Sequence, residues 1–229
     1  MATFKQQVAG LTGISSGTTP TDDELTEFLK DGVNDVTRRC IEAKPAEIRN
    51  FIAESSDQTS NGLNLFGAKI VSVVREAGVS NAWKECRYIP PGDQYRVTDA
   101  ESLKYASAHN PAYTVLDNGK ISVFPVPGAD PNQFKVYYVN NIPYNKSGSS
   151  LSQAHQDIGI FPDDKVYLVV IYAAIKTLEA KMAEFAIDEE DTELVQAISS
   201  NLASLKQQYE GAFASMAPPQ PQQVAGGRR

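Results

Sequence analysis

Apolar residues recur at helical spacing near both ends of the chain. Thr21 and Glu24 form a capping box, and the apolar positions after it predict a helix from about residue 22 to 43. Pro162, followed by two aspartates, predicts the start of a second long helix with a broad apolar face. The apolar positions between Leu194 and Phe213 predict a last helix of roughly 25 residues.

Between these helical regions the period of the pattern changes to two, which is typical of strands. A β-branched run at 70–74 and the segment 82–89 predict two paired strands. Segments 113–117 and 120–124 flank Asn118-Gly119, which predicts a hairpin with a type I′ turn. Residues 133–139 alternate in polarity and predict the third strand of a meander. A second capping box, from Thr98 to Glu101, predicts a short helix over 99–108.

Three segments show neither the helical period nor the strand period. Residues 1–20 are rich in Ser, Thr and Gly and indicate an N-terminal arm, and residues 141–160 indicate a long loop. Residues 217–229 have the composition of an extended C-terminal arm. We therefore predict an α+β fold, a helical bundle with a central antiparallel β-meander. The helical domain comprises residues 21–66, which supply an N-terminal helix, and residues 161–216, which supply two long C-terminal helices. The β-rich insertion comprises residues 67–140.

The charge of the chain is unevenly distributed. The formal net charge is −7, which argues against a broad basic face for phosphate contacts. Residues 162–214 hold 4 lysines against 10 acids, whereas residues 67–140 hold 8 basic and 7 acidic residues. The C-terminal helices are therefore predicted to be acidic and the β insertion nearly neutral.

Nothing in the sequence predicts a secreted or membrane protein. No signal peptide is visible, and the apolar run from Val166 to Ile175 is too short to span a bilayer. Cys40 and Cys86 lack metal-type spacing and are interpreted as free thiols in a reducing compartment. We expect a soluble protein of cytoplasmic origin.

The chain contains no recognisable catalytic motif. His109 and His155 lie in polar, loop-like contexts without Cys or Glu at ligand spacing, and we interpret both as solvent-exposed. The acidic run from Asp188 to Glu193 lacks the spacing of a calcium loop and is typical of a helix start. We predict no catalytic residue, no metal and no cofactor, although an enzyme with a scattered site remains an alternative.

The β insertion carries a tyrosine-rich strand. Such a strand could stack nucleic-acid bases, but the near-neutral charge favours a packed sheet or a protein interface. The candidate interface residues are Tyr113, Phe134, Tyr137, Tyr138 and Tyr144.

The order of these pieces resembles the head-to-tail adaptor (connector) proteins of tailed bacteriophages. The resemblance covers about residues 20–215. It is carried by the "NPAY…DNGKISVFPVP" hairpin, the "VYYVNNIPY" strand, the helix "FPDDKVYLVVIYAAIKTLEAKM" and the helix "DEEDTELVQAISSNLASLKQQYEGAFA". Its most characteristic features are the Pro-led helix containing Tyr-Ala-Ala and the order helix, β insertion, helix pair.

The resemblance implies a structural virion protein of the neck, made in the host cytoplasm. Such proteins form a ring of about twelve copies under the portal, extend the channel for double-stranded DNA and join the tail or other neck proteins. Small-residue helix faces would suit lateral packing in the ring. A portal-docking arm would comprise Met216, Pro218, Pro219, Pro221, Arg228 and Arg229, and acidic helices facing the lumen would contribute Glu184, Glu189, Glu190, Asp191 and Glu193.

Other identities remain open at this point. One is another phage neck or tail-completion ring protein, such as a tail terminator. A small terminase subunit should carry a basic helical DNA-binding domain, which this sequence lacks. A scaffold or binding protein unrelated to phages is the remaining alternative.

Overall fold

The computed structural model describes residues 2–15, 17, 19–117, 119–185 and 192–216. The chain divides into two compact units, one formed by residues 1–50 with 142–229 and the other by 51–141. The described part of the first unit contains helices. Every strand among the described residues belongs to the second unit. The predicted α+β class is therefore confirmed, with long C-terminal helices and a central strand region.

The helical unit is built around one nearly buried helix. Its helices are α1 (Phe4–Thr12), α2 (Asp22–Ala43), α4 (Val166–Phe185) and α5 (Thr192–Met216), with short 3-10 turns at Pro45–Phe51 and Asp163–Lys165. Helix α4 contacts α1, α2 and α5. Its buried side chains are Leu168, Val169, Val170, Ile171, Ala173, Ala174, Ile175, Thr177 and Leu178. The predicted small-residue face of α4 therefore packs within the chain and is not free for packing around a ring.

Helices α2 and α4 pack closely against each other at Gly32. A Cβ atom at this position would lie 3.1 Å from the Tyr172 ring and 3.3 Å from the Val169 side chain and carbonyl oxygen. The Val169 carbonyl is backbone and cannot move aside as the two side chains can. Gly32 therefore sets the distance between the two helices.

The predicted N-terminal arm is wrong, because residues 4–12 form helix α1. Thr3 caps this helix: its hydroxyl accepts the Gln6 amide, and the Gln6 side chain accepts the Thr3 amide. Phe4 and Val8 are 0% and 2% exposed, so α1 is part of the core. The capping box is visible in the sequence. The Ser, Thr and Gly residues that follow nevertheless led to the prediction of an arm, because the helix has only nine residues.

The segment 141–160 lacks regular helix or strand, as predicted, yet it is anchored. Leu151 and Ile158 are each 1% exposed. The amides of Phe4 and Lys5 donate to carbonyls of this segment at 2.9 and 3.0 Å, which ties it to the start of α1.

The β unit contains two four-stranded sheets. Strands β1 (Ile52–Glu54), β3 (Lys69–Glu76), β4 (Trp83–Glu85) and β8 (Phe134–Val139) form one sheet in the order β1-β8-β3-β4. Strands β2 (Leu63–Asn64), β5 (Arg87–Tyr88), β6 (Ala112–Leu116) and β7 (Lys120–Phe124) form the other in the order β2-β7-β6-β5. The shared core between the sheets consists of Val73, Cys86, Ile121, Val123, Phe134 and Val136.

The predicted three-stranded meander is wrong in its last strand. The hairpin β6–β7 forms, but β8 pairs antiparallel with β3 and β1 in the opposite sheet. Its alternating Phe134 and Val136 face the shared core, where they meet Ile121 and Val123 across the two sheets. Alternation predicted which side chains are buried but did not identify the partner strand.

The hairpin turn also differs from the predicted type I′ placement. Leu116 pairs with Lys120, and the Gly119 amide donates to the Leu116 carbonyl at 3.0 Å. Positive φ falls at Asp117 and Gly119, at 43° and 134°, and Asn118 lies outside the described residues. A Cβ at Gly119 would lie 2.8 Å from the Phe66 backbone, so this turn requires glycine for close approach as well as for φ.

The helix predicted over 99–108 is absent, and a shorter helix precedes it. Helix α3 (Gln94–Thr98) follows a 3-10 turn at Pro91–Asp93. The Thr98 hydroxyl donates back to carbonyls of this helix, so Thr98 ends a helix where the capping pattern predicted a start. Asp99 accepts the Glu101 amide in a local turn.

Two buried charged side chains fix the loops at one end of the β unit. Arg75, 3% exposed, donates to the carbonyls of Glu76 and Pro125 at 2.6 and 3.0 Å. The Glu76 carboxylate, 2% exposed, accepts the amides of Asn81 and Gln133 at 3.0 Å each. Both side chains replace water contacts with backbone partners, as burial of charge requires.

Substitution of Gly32 by valine is expected to destabilise the chain by about 1–3 kcal/mol, because the added atoms force α2 away from α4. Chemical denaturation followed by circular dichroism measures the free energy of unfolding. The matched control is Gly10→Ala in α1, where an added Cβ meets nothing within 4 Å. That control should be neutral or stabilising by about 0.5–1 kcal/mol, and an equal loss in both variants would contradict the packing argument.

Candidate interaction surfaces

The outer face of α5 is almost free of uncompensated charge. The buried face consists of Ile198, Leu202, Leu205, Tyr209 and Phe213. The exposed uncharged positions are Leu194, Gln196, Ala197, Ser199, Ser200, Ala203, Ser204, Gln207, Gln208, Gly211, Ala214 and Ser215. Lys206 and Glu210 form ion pairs with Glu179 and Arg39 within the chain, which leaves Glu193 as the exposed charged residue of α5 without a described ion pair.

A polar and aromatic cluster holds the second half of α5 against α2. The Tyr209 hydroxyl donates to Asp35 at 2.7 Å. Arg39 pairs with Asp35 and Glu210 at 2.8 Å each, and its guanidinium lies 5.2 Å from the centre of the Tyr209 ring. Burial and the hydrogen bond to Asp35 raise the pKa of Tyr209. This cluster fixes which face of α5 is presented outward.

Helix α2 presents an acidic surface that the sequence reading missed. Asp23, Glu27 and Asp31 are exposed and follow each other at intervals of four residues, so they lie along one ridge of the helix. Glu27 pairs with Lys30, while Asp23 and Asp31 form no ion pair with another described residue. The four-residue spacing of these acids is visible in the sequence and could have predicted the ridge.

The predicted acidic lumen residues are only partly described. Glu184 pairs with Lys181 at 2.6 Å, which compensates its charge. Glu193 is exposed at the start of α5. Glu189, Glu190 and Asp191 lie outside the described residues, as do all members of the predicted portal-docking arm except Met216, which is half-buried at the end of α5.

The predicted aromatic interface does not come together as one surface. Phe134 is fully buried in the core of the β unit, so its assignment to an interface is wrong. Tyr138 packs against the same core. Tyr144 belongs to the helical unit, where its ring covers Gly159.

Tyr137 lies on the outer face of the first sheet, in line with Lys135 on the same strand. Lys135 pairs with Glu54 and Asp57 at 3.0 and 3.1 Å, and its ammonium lies 4.6 Å from the centre of the Trp83 ring. These ion pairs raise the pKa of Lys135. The strand that carries Tyr137 thus presents a charge-paired surface rather than a run of stacked aromatic rings.

Tyr113 contributes to a groove at the open edge of the β unit. The groove encloses about 400 Å³ and is lined by Val71, Ser72, Glu85, Cys86, Arg87, Tyr88 and Tyr113. Tyr88 and Tyr113 meet edge to face with ring centres 5.6 Å apart. Tyr88 is 57% exposed and Val71 37% exposed. Sequence reasoning missed this groove, because it forms where the chain passes from one sheet to the other at Cys86.

The histidines and cysteines differ in their exposure. His109 is exposed, and the Nδ1 atom of the half-buried His155 accepts the Ser152 amide at 3.0 Å. Both cysteines are free and buried, and burial raises the pKa of the Cys86 thiol to about 12. Within the described ranges no cluster of three His, Cys, Asp or Glu side chains is placed to bind a metal. Likewise, none of the helices described combines the length and hydrophobicity of a transmembrane span.

Comparison of the sequence with models of known protein families and with curated proteins finds no match. Functional inference therefore depends on the surfaces described above: the outer face of α5, the acidic ridge of α2 and the groove of the β unit.

Substitution of Tyr209 by phenylalanine is expected to cost about 0.5–1.5 kcal/mol of unfolding free energy, because the hydrogen bond to Asp35 is lost while the ring is retained. Urea denaturation measures this change. Tyr167→Phe is the matched control, since Tyr167 is 52% exposed and makes no described side-chain hydrogen bond. An unchanged midpoint for Tyr209→Phe would show that this bond does not hold α5 in place.

Proposed function

We propose that this protein is a head-to-tail adaptor in the virion of a tailed bacteriophage. It assembles into a ring of about twelve copies beneath the portal, extends the DNA channel and joins the tail. The observation that carries the proposal is the outer face of α5, which is long, exposed and nearly free of unpaired charge. Another ring-forming component of the phage neck or tail end would use the same face and is the alternative.

The outer face of α5 suits lateral packing between copies. Small side chains such as Ala203 and Ser200 lose little rotamer entropy on burial and allow a neighbouring surface to approach closely. Depletion of charge is the compositional mark of interface cores, because charged groups are costly to desolvate. In a lone chain this face would stand in water without the charges that usually cover an exposed helix.

The acidic ridge of α2 suits the wall of a DNA channel. Neutralisation of phosphates by Lys and Arg is the main source of sequence-independent DNA binding. In this ridge Glu27 pairs with Lys30, whereas Asp23 and Asp31 have no described ion pair. A wall that carries Asp23 and Asp31 repels phosphates, so double-stranded DNA passes without being retained. We assign the lumen to this ridge as well as to the predicted acids around Glu193.

The remaining parts of the chain have roles in docking. The near-neutral β unit is proposed as the platform that meets the tail or a neighbouring copy. The segment after Met216, with Pro218, Pro219 and Pro221, is proposed as the contact with the portal, since prolines lower the entropy lost on ordering.

The ring proposal predicts that Ala203→Lys strongly reduces assembly without unfolding the chain. Burial of an uncompensated lysine between neighbouring copies should reduce the assembled fraction by about tenfold or more. Size-exclusion chromatography with light scattering, on the chain alone and with the cognate portal, measures the assembled mass.

The matched control for this experiment is Ala46→Lys, which places the same charge on an exposed alanine in another part of the helical unit. It should assemble as the wild type does. A wild-type chain that stays monomeric both alone and with portal would overturn the proposal, and equal assembly of the two lysine variants would exclude α5 as the contact.

The channel assignment predicts that the assembled wild-type protein does not retain double-stranded DNA at physiological ionic strength. The double variant Glu27→Lys, Asp31→Lys should bind DNA, with an affinity that falls steeply between about 50 and 200 mM salt. Fluorescence anisotropy with a labelled duplex measures both. The neutral variant Glu27→Gln, Asp31→Asn separates the loss of repulsion from DNA from the gain of attraction to it. Binding of DNA by the wild type as strong as that by the lysine variant would refute the assignment.

A further inference from the structure

We propose that two copies of this chain pair through their β units, with Leu103 of each copy inserted into the groove of the other. The groove is the one lined by Val71, Ser72, Glu85, Cys86, Arg87, Tyr88 and Tyr113. Leu103 and all of these residues belong to the β unit. The proposal goes beyond the adaptor role, because it assigns a contact between copies that does not use the outer face of α5.

Leu103 presents its whole side chain to solvent. Its relative exposure is 107%, the highest among the large hydrophobic residues described. It lies at the tip of the turn 102–105, in which the Tyr105 amide donates to the Ser102 carbonyl at 3.0 Å. Single exposed apolar side chains are common on protein surfaces. What distinguishes Leu103 is the rigidity of its turn and the groove that lies next to it.

The turn that carries Leu103 is held by contacts on both sides. The Lys104 ammonium pairs with Asp93 at 2.7 Å. Directly after the turn, Ala106 is 2% exposed, and its amide donates to the Val97 carbonyl at 3.0 Å. Leu103 is therefore fixed in its outward position before binding, so little conformational entropy is lost when a partner covers it.

Arg87 links the groove to this turn within one copy. Its guanidinium donates to the carbonyl oxygens of Lys104 and Tyr105, the latter at 3.3 Å. The projecting leucine and the groove are therefore neighbours on one surface, and the exposure of Leu103 shows that it does not fill the groove of its own copy. A surface with both features is self-complementary, and two-fold pairing of such surfaces fills both grooves at once.

The groove offers an apolar site for the leucine side chain. The Tyr88 and Tyr113 rings meet edge to face, and Val71 lines the same groove. Tyr88 and Val71 are 57% and 37% exposed, so a leucine placed between them removes apolar surface of both from water. Tyrosine and arginine, which dominate the energetics of many interfaces, both line the groove.

The charges next to Leu103 complement Arg87 of the groove. The hydrogen bonds described for the Arg87 guanidinium go to carbonyl oxygens, and its charge has no carboxylate partner among the described residues. Asp99 and Glu101 precede Leu103, are exposed and form no ion pair with another described residue. Two-fold pairing brings these acids of one copy toward Arg87 of the other, where opposite charges favour the correct orientation.

Glu85 is the other charged residue of the groove, and its complement follows Leu103 in the sequence. The Glu85 carboxylate accepts the Ser72 hydroxyl at 3.2 Å and has no ion pair with a described residue. Lys104 uses one donor for Asp93, and an ammonium has three. Acid before Leu103 and base after it therefore match the arginine and the glutamate that line the groove.

This two-fold contact differs from the proposed ring contact in symmetry. Neighbours in a closed ring are related by rotation about the ring axis, whereas self-complementary surfaces pair about a two-fold axis. We therefore assign the Leu103 contact to pairs of free copies. It is tested with the α5 face blocked, so its failure is distinguishable from failure of the adaptor proposal.

The first test measures self-association of the full chain carrying Ala203→Lys. Sedimentation equilibrium should show monomers and dimers in a concentration-dependent ratio. Leu103→Ser in this background should raise the dissociation constant by about tenfold or more, because each dimer loses two buried leucines. Val79→Ser is the matched control, since Val79 is a 64% exposed apolar residue in another turn of the β unit, and it should leave the constant unchanged.

The second test identifies the surfaces that meet. Leu103→Cys and Tyr88→Cys are placed on separate chains, which are mixed and oxidised mildly, so that a disulfide between these positions requires a contact between copies. The native Cys40 and Cys86 are buried, and mass spectrometry assigns the bond that forms. We expect a cross-linked heterodimer, and much less product from the control mixture of Val79→Cys with Tyr88→Cys.

Three outcomes would overturn the proposal: a monomer at every concentration, equal dissociation constants for the Leu103→Ser and Val79→Ser proteins, or equal cross-linking of the two cysteine mixtures. The cross-linking result does not depend on α5. If the Ala203→Lys protein assembles as the wild type does, the α5 contact fails while the Leu103 contact is still measured.

Discussion

Helix α4 is enclosed by α1, α2 and α5, and its contact with α2 depends on the missing side chain of Gly32. Because α4 is buried on nearly every side, it supplies the core of the helical unit and leaves little of itself for other contacts. The elements packed around α4 therefore provide the solvent-exposed surfaces of the helical unit. The Asp35–Tyr209 hydrogen bond and the Arg39 ion pairs then determine how α5 is turned on that core.

The outward surfaces differ in chemistry, and each difference has a physical consequence. The outer face of α5 has few charges to desolvate, the ridge of α2 concentrates negative charge, and the groove of the β unit exposes aromatic rings with free hydroxyls. Close packing between proteins and repulsion of phosphates need the first two of these chemistries respectively. These two chemistries are the observations that support the proposed role of a neck adaptor.

Local signals of sufficient length predicted the fold well. Helix α2 has a capping box and six turns of periodic apolar residues, and the β6–β7 hairpin has alternating strands around Asn118-Gly119. The failures in predicting helices occurred where one short signal stood alone. Thr98 and Glu101 have capping-box spacing without an apolar run, and α1 has a capping box followed by only nine helical residues. Such short segments are decided by packing, as the burial of Phe4 shows.

The sequence by itself determined the α+β class, the long helices, the uneven charge and the absence of known catalytic motifs, because each depends on composition or on neighbours a few residues apart. Only the tertiary structure decided that β8 joins the sheet of β3, that Phe134 is core rather than interface, and that Tyr88 and Tyr113 form one groove. These outcomes depend on which strands pair across tens of residues. Alternation of polarity specifies the buried face of a strand, but it carries no information about the partner strand.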